Sequence, residues 1–214
     1  KVAQVALSSG GDVDALNAAD IPGGERNVGD ELTHLIATIG ENMTLRRAAN
    51  VFVSNGALAS YVHSAIAPGM GKIGVLVGLE SDSDADKLAE LGKQIAMHIA
   101  AAKPLAVSQD DLDQAEVERE RAVLSEQARE SGKPEEIIEK MVIGRLRKFY
   151  EEVCLLDQTF VIDGETKISD VLANATKELG APVSVAGFAL MVLGEGIEKK
   201  EEDFAAEVAA AAGG

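Results

Sequence analysis

The clearest hydrophobic pattern in the chain lies between Lys133 and Gln158, where apolar residues recur every three or four positions. This spacing is typical of an amphipathic helix. Its members are Ile138, Met141, Val142, Leu146, Phe149, Tyr150 and Val153. Residues 116–130 form a second, highly charged helical pattern, and Ser131-Gly132 separates the two. Helices joined by so short a connection are expected to lie antiparallel, so the sequence predicts a projecting helical hairpin.

Segments before the hairpin predict a mixture of helices and strands. Residues 1–7 resemble the end of a helix, residues 8–27 form a polar, glycine-rich connection, and Val28–Ile39 is a helical pattern that ends at Gly40. Three strands are then predicted within 43–55, 57–65 and 71–80. Turn residues at Asn55-Gly56 and in the loop 68–71 would make these strands an antiparallel meander.

Segments after the meander continue the alternation. The sequence predicts a helix over 86–103, a short strand at 159–162, a helix over 166–179, a strand within 183–196 and a short alanine-rich helix over 201–214. Strands therefore flank the hairpin on both sides. The expected fold class is α+β, with antiparallel sheets and helices in a body that carries the hairpin as an insertion and ends in a short helix.

Composition limits the partners that this chain can bind. Its formal net charge of −16 disfavours nucleic acid and anionic membranes as direct partners, because phosphate groups are bound by clustered Lys and Arg. No apolar run reaches the roughly 18 residues of a membrane span, and no secretory signal is visible. The single Cys154 fits a reducing compartment, so we expect a cytoplasmic location. Because the chain starts with Lys1, we expect it to be a piece of something longer.

No motif in the chain assembles a catalytic or cofactor site. Gly69–Gly74 matches GxGxxG, but an apolar strand pattern follows where dinucleotide binding needs a helix. His34, His63 and His98 have no zinc-site spacing. The apolar context of His98 favours a structural role, while His63 at a strand end is open to either a contact or a bland role. Cys154 lies in an apolar run typical of a buried thiol. A binding protein without cofactor or metal is favoured over an enzyme.

One set of motifs goes beyond these general patterns. IGENMTLRRA (39–48) is followed in order by SYVH, GKIGVLV, IAMHIAAAKP, ESGKPEEIIEKMVIGRLRKFYEEVCLLDQTFV and GEGIEKKEEDFAAEVAA. Together they closely resemble the bacterial translation elongation factor Ts family and cover most of the chain from about Asp30 onward. The resemblance implies a nucleotide-exchange factor that promotes GDP release from the GTPase elongation factor Tu. It also implies a two-subdomain core.

The resemblance divides the chain into four parts. Residues 1–56 would be a partial N-terminal core subdomain, and 57–110 with 156–195 the C-terminal core subdomain. Residues 111–155 would be the inserted hairpin, which serves as a coiled-coil or dimerisation module in the family. Residues 196–214 would be the C-terminal module that docks on the GTPase.

The resemblance also implies partner-facing residues. They are Ile39, Gly40, His63, Lys93, Gln94, Val161, Ile162 and, in the C-terminal module, Phe204. Gln94 departs from the family, which often has a basic or different polar residue there. An alternative for Ile39 and Val161 is that both are simply core residues.

One family feature is not present in this sequence. The family has an N-terminal module and then a Thr-Asp-Phe-Val motif whose Asp and Phe approach the magnesium and phosphate site of the GTPase. Without them, we expect this chain to bind elongation factor Tu but to accelerate GDP release poorly. The alternative is an interaction module that forms a homodimer through the hairpin, with no role in exchange. An enzyme ranks last.

Overall fold

The computed structural model describes residues 1–197, which form seven α-helices and one three-stranded antiparallel sheet. The helices are α1 (Val2–Ser9), α2 (Val13–Ala18), α3 (Val28–Ile39), α4 (Ala85–Ala102), α5 (Gln114–Arg129), α6 (Glu135–Val153) and α7 (Ile168–Leu179). The strands are β1 (Gly56–His63), β2 (Ile73–Glu80) and β3 (Ser184–Val192). This confirms the α+β class. The predicted C-terminal helix and Phe204 lie outside the described residues.

The sheet has the order β1-β2-β3, with β2 paired antiparallel to both neighbours. β2 is an almost continuous apolar run because it is the central strand. Its inward residues Val75, Val77 and Leu79 pack in the main core with the buried stripe of α4, which includes Leu88, Ile95 and Ile99. The pairing of β1 with β2 confirms that part of the predicted meander. β3 comes from beyond the hairpin, so the sheet joins segments on both sides of the insertion.

A second, smaller core lies among the N-terminal helices. The residues buried together there are Val5 of α1, Leu16 of α2, Ile21 between α2 and α3, and Val28 of α3. The predicted connection over residues 8–27 is wrong in one respect, because it contains the short helix α2. Asp12 caps that helix by accepting a hydrogen bond from the Ala15 amide at 2.8 Å. Gly10-Gly11 lies just before this helix, and Pro22-Gly23-Gly24 forms a turn that begins four residues after it ends, so both predicted turns are present.

The first predicted strand, within residues 43–55, is wrong. These residues run beside the sheet without pairing to it, and Asn55-Gly56 precedes β1 instead of joining two strands. Val51 and Val53 point at the outer face of β2, where Gly78 leaves room for them. Their alternation therefore reflects burial of every second side chain against a sheet face, which produces the same sequence pattern as pairing within a sheet.

The helical hairpin is confirmed as α5 and α6. Near its tip, Ala128 of α5 packs with Ile138 and Val142 of α6. Near its base, Val117 packs with residues of the last turns of α6, including Phe149. Early residues of one helix thus meet late residues of the other, which is the antiparallel arrangement expected from the short connection.

The second wrong strand prediction is residues 159–162. A single bridge joins Thr159 to Lys167, and the residues between them form a tight turn before α7. Of the four residues only Phe160 is buried. In the part of the chain that the structure describes, no helix has the length and apolar character needed to cross a bilayer.

Candidate partner-binding surface

One end of the sheet carries His63, one of the residues that the sequence singled out as partner-facing. β1 ends there at His63, which pairs with Ile73 at the start of β2, and β3 ends there at Val192, which also pairs with Ile73. We call this region the His63 end. α4 follows β2 after a short connection and packs on β1 and β2, with Gly92 lying against Ala59. The second half of α4 therefore runs back toward the His63 end.

His63 is held at this end by a neighbouring side chain. The hydroxyl of Tyr61 lies 3.0 Å from Nδ1 of His63, and the imidazole is exposed. Which of the two groups donates depends on the tautomer of the imidazole. His63 is therefore an exposed side chain with one neighbouring side-chain partner, and its contact role stays a prediction.

Ile39 and Gly40 close helix α3. Gly40 has a left-handed backbone (φ 80°), and its N–H donates to the Ile36 carbonyl at 2.9 Å, which ends the helix. Ile39 is 56% exposed, so the alternative that it is a core residue is wrong.

The segment after Gly40 is tied to the His63 end. Arg47 forms a salt bridge with Glu195 at 2.7 Å, and Glu195 follows the last residue of β3 by three positions. Arg46 donates to the main-chain carbonyl of the same Glu195. Both cations are therefore fixed to the chain that leaves the sheet at this end.

On α4, Lys93 is exposed and Gln94 is half-buried. Met97, which was not among the predicted residues, follows Lys93 by one helical turn and is 38% exposed. A signal was available, because Met97 shares the face of Lys93 and Ala101, and those two residues are not part of the buried stripe. An exposed methionine adds an adaptable apolar contact to this face.

Val161 and Ile162 lie in the turn between the hairpin and α7, and they are 48% and 52% exposed. Val161 is therefore not a core residue. The turn is shaped by Asp163, whose carboxylate accepts hydrogen bonds from the amides of Glu165 and Thr166 at 3.0 Å each. These backbone bonds lower the pKa of Asp163 from its ordinary value. The turn meets α4 through His98, to which the Val161 amide is bonded.

Exposed large apolar side chains occur at the His63 end and on the other elements that carry candidate residues. They occur in the β1–β2 loop, after β3, on α4, at the end of α3 and in the 160–163 turn. These are Ile66, Met70, Leu193, Met97, Ile39, Val161 and Ile162. Exposed apolar side chains of this size are common in surfaces that bind other proteins. The arrangement can therefore bind a protein surface through apolar contacts supplemented by His63 and Lys93.

Candidate groups for chemistry are placed where they cannot act together. Gly69–Gly74 joins β1 to β2 and leads into a strand, so its amides do not open a helix. Cys154 is fully buried, and desolvation, together with Asp157 and Asp111, raises the pKa of its thiol to about 11. Its thiol is therefore protonated and unreactive at neutral pH. Within residues 1–197, no three His, Cys, Asp or Glu side chains are grouped so that they could hold a metal ion.

Comparison with known proteins gives a consistent result. The family model for "Elongation factor TS" matches residues 1–195. Elongation factor Ts of Paramagnetospirillum magneticum is 64% identical over 212 residues, which are 99% of this chain and 68% of that protein. Elongation factor Ts of Rhodospirillum centenum is 60% identical over 213 residues, covering 100% of this chain and 69% of that protein. The chain thus spans a little over two thirds of the length of these relatives.

Proposed function

Because the chain belongs to the elongation factor Ts family, we propose that it binds the GTPase elongation factor Tu and promotes release of GDP. The observation that carries the proposal is the His63 end. Family resemblance selected seven partner-facing positions within residues 1–197. Six of them are exposed, His63 among them, and Gln94 is half-buried. The role is that of an exchange factor acting by binding, and a translation factor of this kind would work in the cytoplasm.

Exchange by binding follows from thermodynamic linkage. A factor that binds the nucleotide-free GTPase more tightly than the GDP-bound form must weaken GDP binding by the same ratio. No bond is made or broken by the factor, so no acid, base or nucleophile is required of it. This chain needs only a surface that discriminates between two conformations of its partner.

Two properties of the His63 end suit this task. The exposed apolar groups supply affinity when they are buried by a partner, roughly 25 cal/mol for each Å² removed from water. His63 and Lys93 add directional and charged contacts, which give specificity. The overall charge of −16 makes a basic surface on the GTPase the complementary target. We also propose the four-part division of the chain, in which residues 57–110 and 156–195 form the gripping subdomain.

A polypeptide of these 214 residues alone is proposed to bind better than it exchanges. The Asp and Phe that approach the magnesium site in the family are not among its residues. Removing a perturbing contact while keeping a gripping contact lowers the difference in affinity between the two GTPase states, and that difference sets how far the factor weakens GDP binding.

Self-association through the hairpin is the second candidate. Its support is that Val123 of α5 and Ile137 and Ile143 of α6 are exposed apolar residues on the hairpin. A second hairpin could bury them. This candidate predicts a stable dimer and no binding to a translational GTPase, and it needs none of the residues at the His63 end.

Stopped-flow release of a fluorescent GDP from elongation factor Tu tests the proposal. The 214-residue polypeptide should accelerate release above the spontaneous rate but less than a full-length relative does. His63→Ala should reduce that acceleration, while Ile143→Ala on the hairpin serves as a matched exposed control and should not. Acceleration equal to that of the full-length relative would refute the weaker exchange. Sedimentation with and without the GTPase separates binding from self-association. Self-association through the hairpin should be altered by a substitution of Ile143 and not by one of His63.

A further inference from the structure

We propose that His98 is a positioning residue that fixes the 160–163 turn, so that Val161 and Ile162 are presented to the partner. The inference rests on the proposed function for the identity of the partner. Its structural part concerns three elements, which are α4, the end of the hairpin and the turn before α7. Sequence reasoning assigned His98 a structural role but gave it no connection to the partner-facing residues.

His98 is completely buried on α4, and both of its ring nitrogens are bonded. Nε2 lies 2.9 Å from Oε1 of Gln158, and Nδ1 lies 3.3 Å from the main-chain nitrogen of Val161. The ring of Phe160 packs beside the imidazole, with ring centroids 5.9 Å apart. The histidine therefore contacts the residues on both sides of Thr159, at the start of the exposed turn.

The network allows only one protonation state. The Val161 nitrogen is a main-chain donor, so Nδ1 must be unprotonated and accept. Gln158 is oriented because its amide nitrogen donates to the carbonyls of Glu152 and Ala102, at 2.6 and 3.4 Å. Its Oε1 therefore faces His98 and accepts from Nε2–H. Neutral His98 with the proton on Nε2 satisfies both hydrogen bonds, the one to Gln158 and the one from Val161. Leu or Met at this position would satisfy neither of them.

The bond to Val161 explains how an exposed turn can have a defined shape. Val161 and Ile162 are about half exposed, so core packing does not hold their side chains in place. Their backbone is held by buried Phe160 on one side and by the Asp163 bonds on the other. The His98 bond joins the backbone of Val161 directly to α4, which carries Lys93 and Met97. His98 thus sets the position of the turn relative to the other proposed contacts.

Substitution of His98 separates this role from general stability. His98→Leu keeps the apolar shape but accepts no hydrogen bond, whereas Oδ1 of His98→Asn can replace Nδ1 as acceptor. We expect His98→Leu to weaken binding to nucleotide-free elongation factor Tu about tenfold, and His98→Asn to recover most of that loss. If His98→Leu does not fold, His98→Gln replaces it, because its amide can still bond Gln158 but does not match the Nδ1 position. Equal affinity of His98→Asn and His98→Leu would contradict the proposal.

A double-mutant cycle provides the decisive readout. If His98 acts through the turn, His98→Leu should cost little further affinity once Val161 and Ile162 are both changed to Ala. Additive losses would mean that His98 acts elsewhere, and the inference would be wrong.

Nuclear magnetic resonance tests the structural part without the GTPase. In the unaltered 214-residue chain, nitrogen-15 shifts of His98 should show a protonated Nε2 and an unprotonated Nδ1. Hydrogen exchange of the Val161 amide should accelerate at least tenfold in His98→Leu, while amides in β2 change little. If the chain does not bind elongation factor Tu, the proposed function fails, and unchanged Val161 exchange would overturn the positioning role separately.

Discussion

Gly92 provides the sharpest prediction about how α4 is seated on the sheet. A Cβ atom at this position would lie 2.7 Å from Cβ of Ala59, whereas carbon atoms in contact are normally about 3.5–4.0 Å apart. The nearest atom is a Cβ, which moves only with its backbone. Gly92→Ala must therefore push α4 away from β1 by about 1 Å, and this shift disturbs the packing of Leu88, Ile95 and Ile99.

The size of the effect follows from two opposing terms. Alanine stabilises a helix interior by about 1 kcal/mol relative to glycine. Overpacking a well-filled core costs about 1–3 kcal/mol. We expect Gly92→Ala to lower the free energy of unfolding by about 1 kcal/mol net, and a chain of this size then melts about 2–4 °C lower. Urea denaturation followed by circular dichroism measures the difference.

Gly144 of α6 is a matched control, because it is also a glycine inside a helix but a Cβ there would meet nothing within 4 Å. Gly144→Ala should therefore stabilise the hairpin by about 0.5–1 kcal/mol. Combining Gly92→Ala with Ala59→Gly should restore part of the lost stability, because it removes the opposing atom. If Gly92→Ala stabilises the protein as much as Gly144→Ala does, the close contact between α4 and β1 is not as described.

Three further predictions concern particular side chains. Burial lowers the pKa of His98 from the ordinary value of 6.5, so below pH 6.5 the unfolded chain takes up a proton that the folded chain does not. The free energy of unfolding should fall as the pH drops through this window, and denaturation of His98→Leu should show a flatter dependence; an unchanged dependence would contradict the assignment. Tyr61→Phe removes the hydroxyl that orients His63 and should weaken binding to elongation factor Tu severalfold with little change in melting temperature, as titration calorimetry can show; unchanged affinity would mean that the orientation of His63 does not matter. Ile138→Ala should destabilise the hairpin tip by about 2 kcal/mol and speed local hydrogen exchange there without weakening that binding, whereas a loss of affinity would place the hairpin in the interface.

The elements that the sequence predicted well are those whose pattern has a single physical reading. The stripe on α6 and the break at Ser131-Gly132 specify a hairpin without help from the rest of the chain. β2 is equally clear, because a central strand is apolar on both faces. In these cases local pattern and tertiary packing agree.

The errors occurred where two structures share one pattern. Val51 and Val53 point to the same side whether their segment pairs within a sheet or lies across one. The contact of both side chains with Gly78 of β2 shows that the segment lies across the sheet. In residues 159–162, Phe160 is buried and anchors a turn, whereas the apolar Val161 and Ile162 that follow it are exposed. The short helix α2 was missed because glycines on both sides made the whole stretch look like a connection.

The candidate surface could be predicted only in part. Family resemblance named His63, Lys93 and Val161, but periodicity could not show that all three side chains are exposed, because exposure depends on packing between elements on both sides of the hairpin insertion. The exposure of Met97 and the bond from His98 to Val161 also required coordinates. Such contacts join residues about 60 positions apart, and no local pattern reports them.

The central claim is that the His63 end binds elongation factor Tu and prefers its nucleotide-free state. The most direct measurement is the affinity of the 214-residue polypeptide for elongation factor Tu, free of nucleotide and loaded with GDP, by titration calorimetry. Tighter binding to the free form is predicted, with a clear loss in the double variant His63→Ala and Ile162→Ala and none in Ile143→Ala. Equal affinity for the two forms, or a loss confined to the hairpin variant, would contradict the account.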